Sequence, residues 1–244
     1  MAKHVIKPDA IRNRISNDLL SLVQILRNEP SGVVINPESL QSAAHQANKV
    51  RKTADWSYEV ADLQFRVGTP QNALPQKCGN RLNVYMDLNL QGVCNDELDD
   101  SLTDLILNIR IETETKQNIC SWHFDRHIVD GKSEPPEEAH PKYHFQHGGH
   151  AMKDLAESLG KTLLLPTPRL AFPPMDAILA IDFVLSNFAG NCWQSLRDEA
   201  TYTRLLKEAQ HRHWRPYLQR LASWWDTGYK ESKSEITALW PHLV

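Results

Sequence analysis

The sequence predicts an α+β fold: an antiparallel β-meander of about five strands, with N-terminal helices before it and a helical C-terminal half after it. Three observations carry the prediction. Apolar residues recur at helical spacing in two early segments, the period shifts to strand alternation between residues 56 and 148, and helical spacing returns after Gly149. Strands in one run followed by helices in another indicate α+β rather than alternating α/β architecture.

Taken in order, "NDLLSLVQILRNEPSG" sets Leu19, Leu22, Val23 and Leu26 on one helical face, with Ser16 or Asn17 as N-cap and "EPSG" as the stop. "NPESLQSAAHQANKVRK" offers Asn36 as cap and Pro37 at the first helical position. The segments "WSYEVADLQFRV", "RLNVYMDLNL", "LTDLILNIRIET", "ICSWHFDRHI" and "PKYHFQHG" alternate apolar with polar residues, or are rich in β-branched and aromatic ones, and turn residues separate them. The last two are joined by the acidic, proline-bearing "VDGKSEPPEEAH", expected as an exposed loop. Helical spacing follows in "AMKDLAESLG" and, after an extended "KTLLLPTPRLAFPP", in "PMDAILAIDFVLSNF" with Pro174 at the helix start. Two further helices, "CWQSLRDEATYTRLLKEAQHRHW" and "RPYLQRLASWWDTGY", are separated at Pro216, and a short "SEITALW" follows. A single domain over 1–244 is expected; the switch near residue 150 is the only candidate subdivision, into 1–150 and 151–244.

Composition narrows the function classes. A formal charge of -3 makes no case for a dedicated nucleic-acid binder, although a local basic patch stays open. The four cysteines are scattered without a C-x-x-C pair, which suits buried thiols in a reducing, cytoplasmic setting. No leader pattern is present, and the most apolar run, "AILAIDFVLSNFAG", is interrupted by Asp182 and falls short of the roughly 20 residues needed to cross a bilayer. The phosphate-binding glycine loops, the G-x-S-x-G elbow and H-E-x-x-H are all missing, so cofactor chemistry has no signature here.

The histidines stand out: six of the chain's eleven fall between His123 and His150. Strand alternation puts Trp122 and Phe124 on one face and His123, Asp125 and His127 on the other; in the next strand Tyr143, Phe145 and His147 share a face, leaving His144 and Gln146 opposite. If the strands pair with aromatic faces aligned, His123, Asp125 and His127 meet His144 and Gln146 on one polar face. Two imidazoles with a carboxylate to fix a tautomer are the parts of an acid–base site, and His123 with His144 is the expected pair. Asp125, His127 and Gln146 would assist, with His147 available for binding. His140 and His150 are expected to be bystanders.

A divalent metal is the alternative to a cofactor-free site. His123 and His127 lie ~13 Å apart along one strand, so an ion would have to bridge strands, from His123 or His127 to His144, with Asp125, His140 or His150 as a third ligand. The expected reaction is phosphodiester cleavage, because "GGH" before a helix presents backbone N–H groups to an anion. The plain reading is a solvated sheet face on which histidine is merely tolerated.

Elsewhere, "YTRLLKEAQHRHWRPYLQR" mixes Arg212, Arg215 and other cations with Trp214 and tyrosines. It would suit a nucleic-acid backbone or an acidic protein partner, or else a core helix with snorkelling arginines. Asp182, in an apolar helix, needs a partner, with Arg169 or a histidine as the candidates.

"WHFDRH" with "HPKYHFQHGG" resembles, over about thirty residues, the histidine-rich end of small bacterial TumE-type toxins, which implies toxin-like or defence-associated biology. The chain departs from them in its sparser histidine run and its helical C-terminal half. The order helix, meander, loop, helices also resembles ubiquitin-conjugating enzymes, but no cysteine follows the meander until Cys192, so that resemblance implies binding rather than conjugation. Two functions therefore stand: a histidine-based hydrolase, nuclease-like, and a non-catalytic interaction module using the aromatic-basic C-terminal helices.

Overall fold

The computed structural model describes residues 7–75, 78–94, 100–127, 138–148, 152, 165, 169–226 and 233–243. Among them the fold is α+β, with an antiparallel sheet in strict sequence order, β1 (Asp55–Gly68), β2 (Arg81–Val93), β3 (Leu102–Thr113), β4 (Ile119–Arg126), β5 (Tyr143–His147) and β6 (Leu170–Ala171). The five expected strands are all there. The sixth, two residues in the segment read as merely extended, is too short to leave a periodic signal.

One sheet face is apolar from edge to edge because the registers stack like on like: Leu88, Leu107, Phe124 and Phe145 form one cross-strand row, and Met86, Ile109 and Trp122 the next. That face is covered by helices α1 (Pro8–Asn28), α2 (Ser39–Ala47), α3 (Ala177–Phe188), α4 (Gly190–Asp198), α5 (Ala200–Ala222) and α6 (Lys233–Leu239). The opposite face carries Asp87, Asn108, His123 and Gln146 in one row, and Asn89, Ile106, Asp125 and His144 in another.

Two irregularities shape β1. A bulge between Val60 and Leu63 puts Asp62 at φ 49°, held by Asp87 Oδ1 on its N–H (2.8 Å) and by Asn36 Nδ2 on its carbonyl (2.8 Å). Trp56 lies across Gly92 so closely that a Cβ there would stand 2.4 Å from the ring, which only glycine allows.

The helix boundaries differ from expectation in instructive ways. The first helix starts at Pro8, eight residues before the proposed Ser16 cap, because its early buried face mixes Ile11 and Ile15 with polar residues: Arg12 is buried and donates to the carbonyls of Thr53 and Asp55. Asn36 does not cap α2; its side chain accepts from Gln64 N (2.7 Å) and ties the helix entry to the β1 bulge. In α3 the cap is Asp176, accepting from Leu179 N, and Pro174 lies outside. The break expected at Pro216 falls instead at Glu199, whose carboxylate caps α5 at Tyr202 N. Helix α5 runs through Pro216 because contacts hold it on both sides: His213 against Asp176, Tyr217 against Tyr143. The expected helix over "AMKDLAESLG" lies outside the described residues apart from Met152. No helix among the described residues is long and apolar enough to cross a membrane.

Candidate active site

Strands β4 and β5 pair as the alternation requires: Phe124 faces Phe145, Asp125 faces His144, and His123 faces Gln146. What fixes this register lies beneath. Phe124 and Phe145 pack at 4.6 Å between centroids, Phe145 stacks on Phe183 at 4.9 Å, and Phe172 closes on Phe145 at 5.3 Å. A one-residue slip would turn all of these out to solvent and drive the histidines into the core. At the strand ends, the Tyr143 hydroxyl donates to Asp100 (2.7 Å), which also meets Lys142 Nζ at 2.5 Å.

On the polar face Asp125 sits between two imidazoles, with His123 Nε2 3.1 Å from its Oδ2 and His144 Nε2 3.2 Å from its Oδ1. His144 is 1% exposed. Its Nδ1 donates to the carbonyl of Pro141 (3.0 Å); a carbonyl only accepts, so the proton of the neutral ring is on Nδ1 and Nε2 turns a lone pair towards the carboxylate. On the other side His123 Nδ1 meets Asn108 Oδ1 at 2.8 Å. Protonated on both nitrogens, His123 donates to Asn108 and Asp125 together. Burial raises the Asp125 pKa, but the His123 hydrogen bond and the His144 charge outweigh it and hold the carboxyl below its ordinary value. Burial lowers the His144 pKa, with Asp125 only partly offsetting it.

The row continues beyond the strands. His140 meets His144 edge-on at 4.6 Å and stacks on His127 at 3.8 Å, so the ring expected to be a bystander is the joint between the other two. Burial first, then the charges of His127, His144 and Arg169, bring its pKa down to about 4. Arg169 arrives through β6: Ala171 pairs with His144, and Arg169, two residues earlier, takes the same face. Its side chain is 14% exposed, with the Glu138 carboxylate 3.7 Å from Nη1. Neither Nε nor Nη1 makes a hydrogen bond, and His140 Nδ1 and Asp125 Oδ1 are likewise buried without one. Sequence spacing had no means of finding these: His140 precedes its strand, and Arg169 depends on a strand of two residues.

The other expected site residues divide. His147 lies on the aromatic side at the strand end, edge-on to Trp122 at 5.0 Å, with Nε2 3.7 Å from Cys120 Sγ. Burial pushes the Cys120 thiol up, away from a nucleophilic thiolate. Arg212 is committed inside the fold to Asp18 (2.7 Å) and Asp176 (3.2 Å). Trp214 is half-buried and donates to Pro174 O, while Arg215 is exposed and donates to His211. Asp182 finds neither Arg169 nor a histidine; it accepts from Trp193 Nε1 (2.9 Å) and Tyr202 OH (3.1 Å), with Arg197 alongside.

His123 and His144 approach different oxygens of Asp125, and no group of three or more metal donors is assembled among the described residues; His150 lies outside them. Compared with known proteins, the chain matches no family model, no curated protein and no solved structure, so the functional reading rests on side-chain geometry.

Proposed function

We propose that the protein is a histidine-based hydrolase with nuclease-like chemistry, acting on a phosphodiester held over the polar face of β4 and β5. The observation that carries this is the burial of His144 against Asp125: histidines that merely decorate a solvated sheet face have no reason to be closed to water beside a carboxylate. His123, whose Nδ1 bond to Asn108 lies on the exposed side and can open, is the general acid and gives that proton to the leaving oxygen while Nε2 stays on Asp125. His140, neutral at neutral pH, is the base that takes the proton from the attacking hydroxyl or water. Asp125 and His144 are positioning residues between them, His127 supports His140 by stacking, and Gln146 stands opposite His123, where its amide can donate to a phosphate oxygen. This places His144 one step further from the substrate than its sequence pairing with His123 suggests.

The test is incubation of the purified protein with single-stranded RNA and DNA, with and without EDTA, beside a His123→Ala, His140→Ala double variant. Cleavage that survives EDTA and falls ~100-fold or more in the variant supports paired acid–base imidazoles. Loss with EDTA moves the chemistry to a divalent ion, and equal inertness of two folded proteins removes the hydrolase reading. The alternative, a protein-interaction module using the C-terminal helices, is favoured by one observation: Trp225 is 71% exposed, and Leu218, two turns earlier, is exposed with it.

A further inference from the structure

We infer that Arg169, with His140 and His144 beside it, forms a binding site for a phosphate-type oxyanion, whose occupation draws protons onto the imidazoles. The inference rests on the phosphodiester reading for the identity of its natural occupant, the phosphate of a nucleic-acid backbone.

Four buried polar atoms without hydrogen bonds gather in this corner: Arg169 Nε and Nη1, His140 Nδ1 and Asp125 Oδ1, the last an acceptor that faces His144 Nε2 at 3.2 Å and offers an anion nothing. Buried polar groups in folded proteins are almost always paired, so such a gathering marks something the site is built to receive. Two of the four are donors on a permanent cation, and arginine's delocalised charge is suited to phosphate oxygens. Among the described residues the guanidinium's carboxylate partner is Glu138, an ion-pair contact at 3.7 Å, beyond hydrogen-bonding distance, on a side chain that is 53% exposed and free to swing out. Arg212, by comparison, is held by two buried carboxylates and has no charge to offer.

The proton coupling follows from the groups that face His140. They are His127 just past β4, His144 from β5, Arg169 beside β6, and Asp125 from β4. Three of the four hold protons off the ring, and Arg169 acts on His144 in the same sense. A backbone phosphodiester, a monoanion, cancels the Arg169 charge, and the dianion of inorganic phosphate adds an attractive one besides, so in both cases the imidazoles become more basic. The base is therefore weak in the empty site and strengthened by the substrate that needs it.

The probe is inorganic phosphate, titrated into the full-length protein by calorimetry in two buffers of different ionisation enthalpy, with histidine ring resonances followed by NMR. Expected are saturable binding, a buffer-dependent heat showing proton uptake, and shifts at His140 and His144. Arg169→Met should weaken binding at least tenfold, Arg169→Lys less, and Glu138→Gln should tighten it. Unchanged binding in folded Arg169→Met, ring shifts confined to other histidines, or no binding to wild type each overturns the inference; should Arg169→Met fail to fold, the NMR titration of wild type decides. The oligonucleotide assay separates the two readings. Phosphate seated at Arg169 without cleavage of RNA or DNA keeps the anion site and removes the hydrolase, whereas cleavage that Arg169→Met leaves intact does the reverse.

Discussion

Replacing Asp176 tests the polar joint that ties the start of α3 to α5. The carboxylate is buried at the start of α3, where Oδ1 accepts from Leu179 N (3.1 Å) and Oδ2 meets Arg212 Nη2 (3.2 Å) and His213 Nε2 (3.4 Å). Asp176→Ala loses the cap, about 1 kcal/mol. It also leaves a buried guanidinium with one carboxylate in place of two, at the lower end of the ~3–5 kcal/mol cost of breaking a buried pair. The sum is about 4 kcal/mol, which at a urea dependence of about 3 kcal/mol/M for a chain of this size lowers the unfolding midpoint by about 1.3 M. Asp176→Asn keeps the capping oxygen and should cost about 3 kcal/mol. The pH dependence has a definite sign. Burial raises the Asp176 pKa, but bonds from His213 and Arg212 outweigh it and hold the carboxyl well below the ordinary range. Its stabilisation is therefore present above about pH 4 and lost as pH falls below that. Urea melts by circular dichroism at pH 7 and in steps from pH 5 to 3 read both effects. A midpoint within about 0.3 M of wild type in Asp176→Ala, or an undiminished acid slope, would refute the latch.

Two other perturbations are as direct. Gly92→Ala forces a methyl to within 2.4 Å of the Trp56 ring and 2.8 Å of Ser101 O, and overpacking of that kind should cost about 2 kcal/mol in thermal or urea unfolding. In a histidine NMR titration His140 should stay neutral until pH falls to about 4. Because its folded pKa lies below the ordinary 6.5, its contribution to stability is intact above about pH 6.5 and declines as pH falls towards 4; a His140 midpoint near 6.5 would contradict its placement between two imidazoles and Arg169.

The strand register was legible because alternation is rigid: once Trp122 and Phe124 are set inward, His123 and Asp125 have no other side to occupy, and the same holds for His144 against Phe145. Legibility stopped where position depends on a partner distant in the chain. Arg169 joins the site through β6, and His140 joins through a short lead-in whose path is set by the bond from His144 to Pro141 O. The start of helix α1 leaves no clear periodic signal because Arg12, Ser16 and Asp18 are buried polar residues that break the apolar stripe. Local propensity places a break at Pro216 because it carries no knowledge of Asp176 and Tyr143, which hold the two sides of the proline in line.

The finish of β1 also bears on how this protein behaves in a crowded solution. An open outer strand invites further copies to add on, and repeated addition ends in fibrous aggregates. Here the Glu59 amide is taken by Gln46 Oε1, the Gln64 amide by Asn36, the Gln64 carbonyl by Ile35 N and the Arg66 amide by Val33 O, while the left-handed Asp62 bends the strand midway. Few backbone groups on that side remain for a stranger to use. Asn36, whose sequence position suggests an ordinary helix cap, is in effect a guard against self-association, and its loss should show in light scattering.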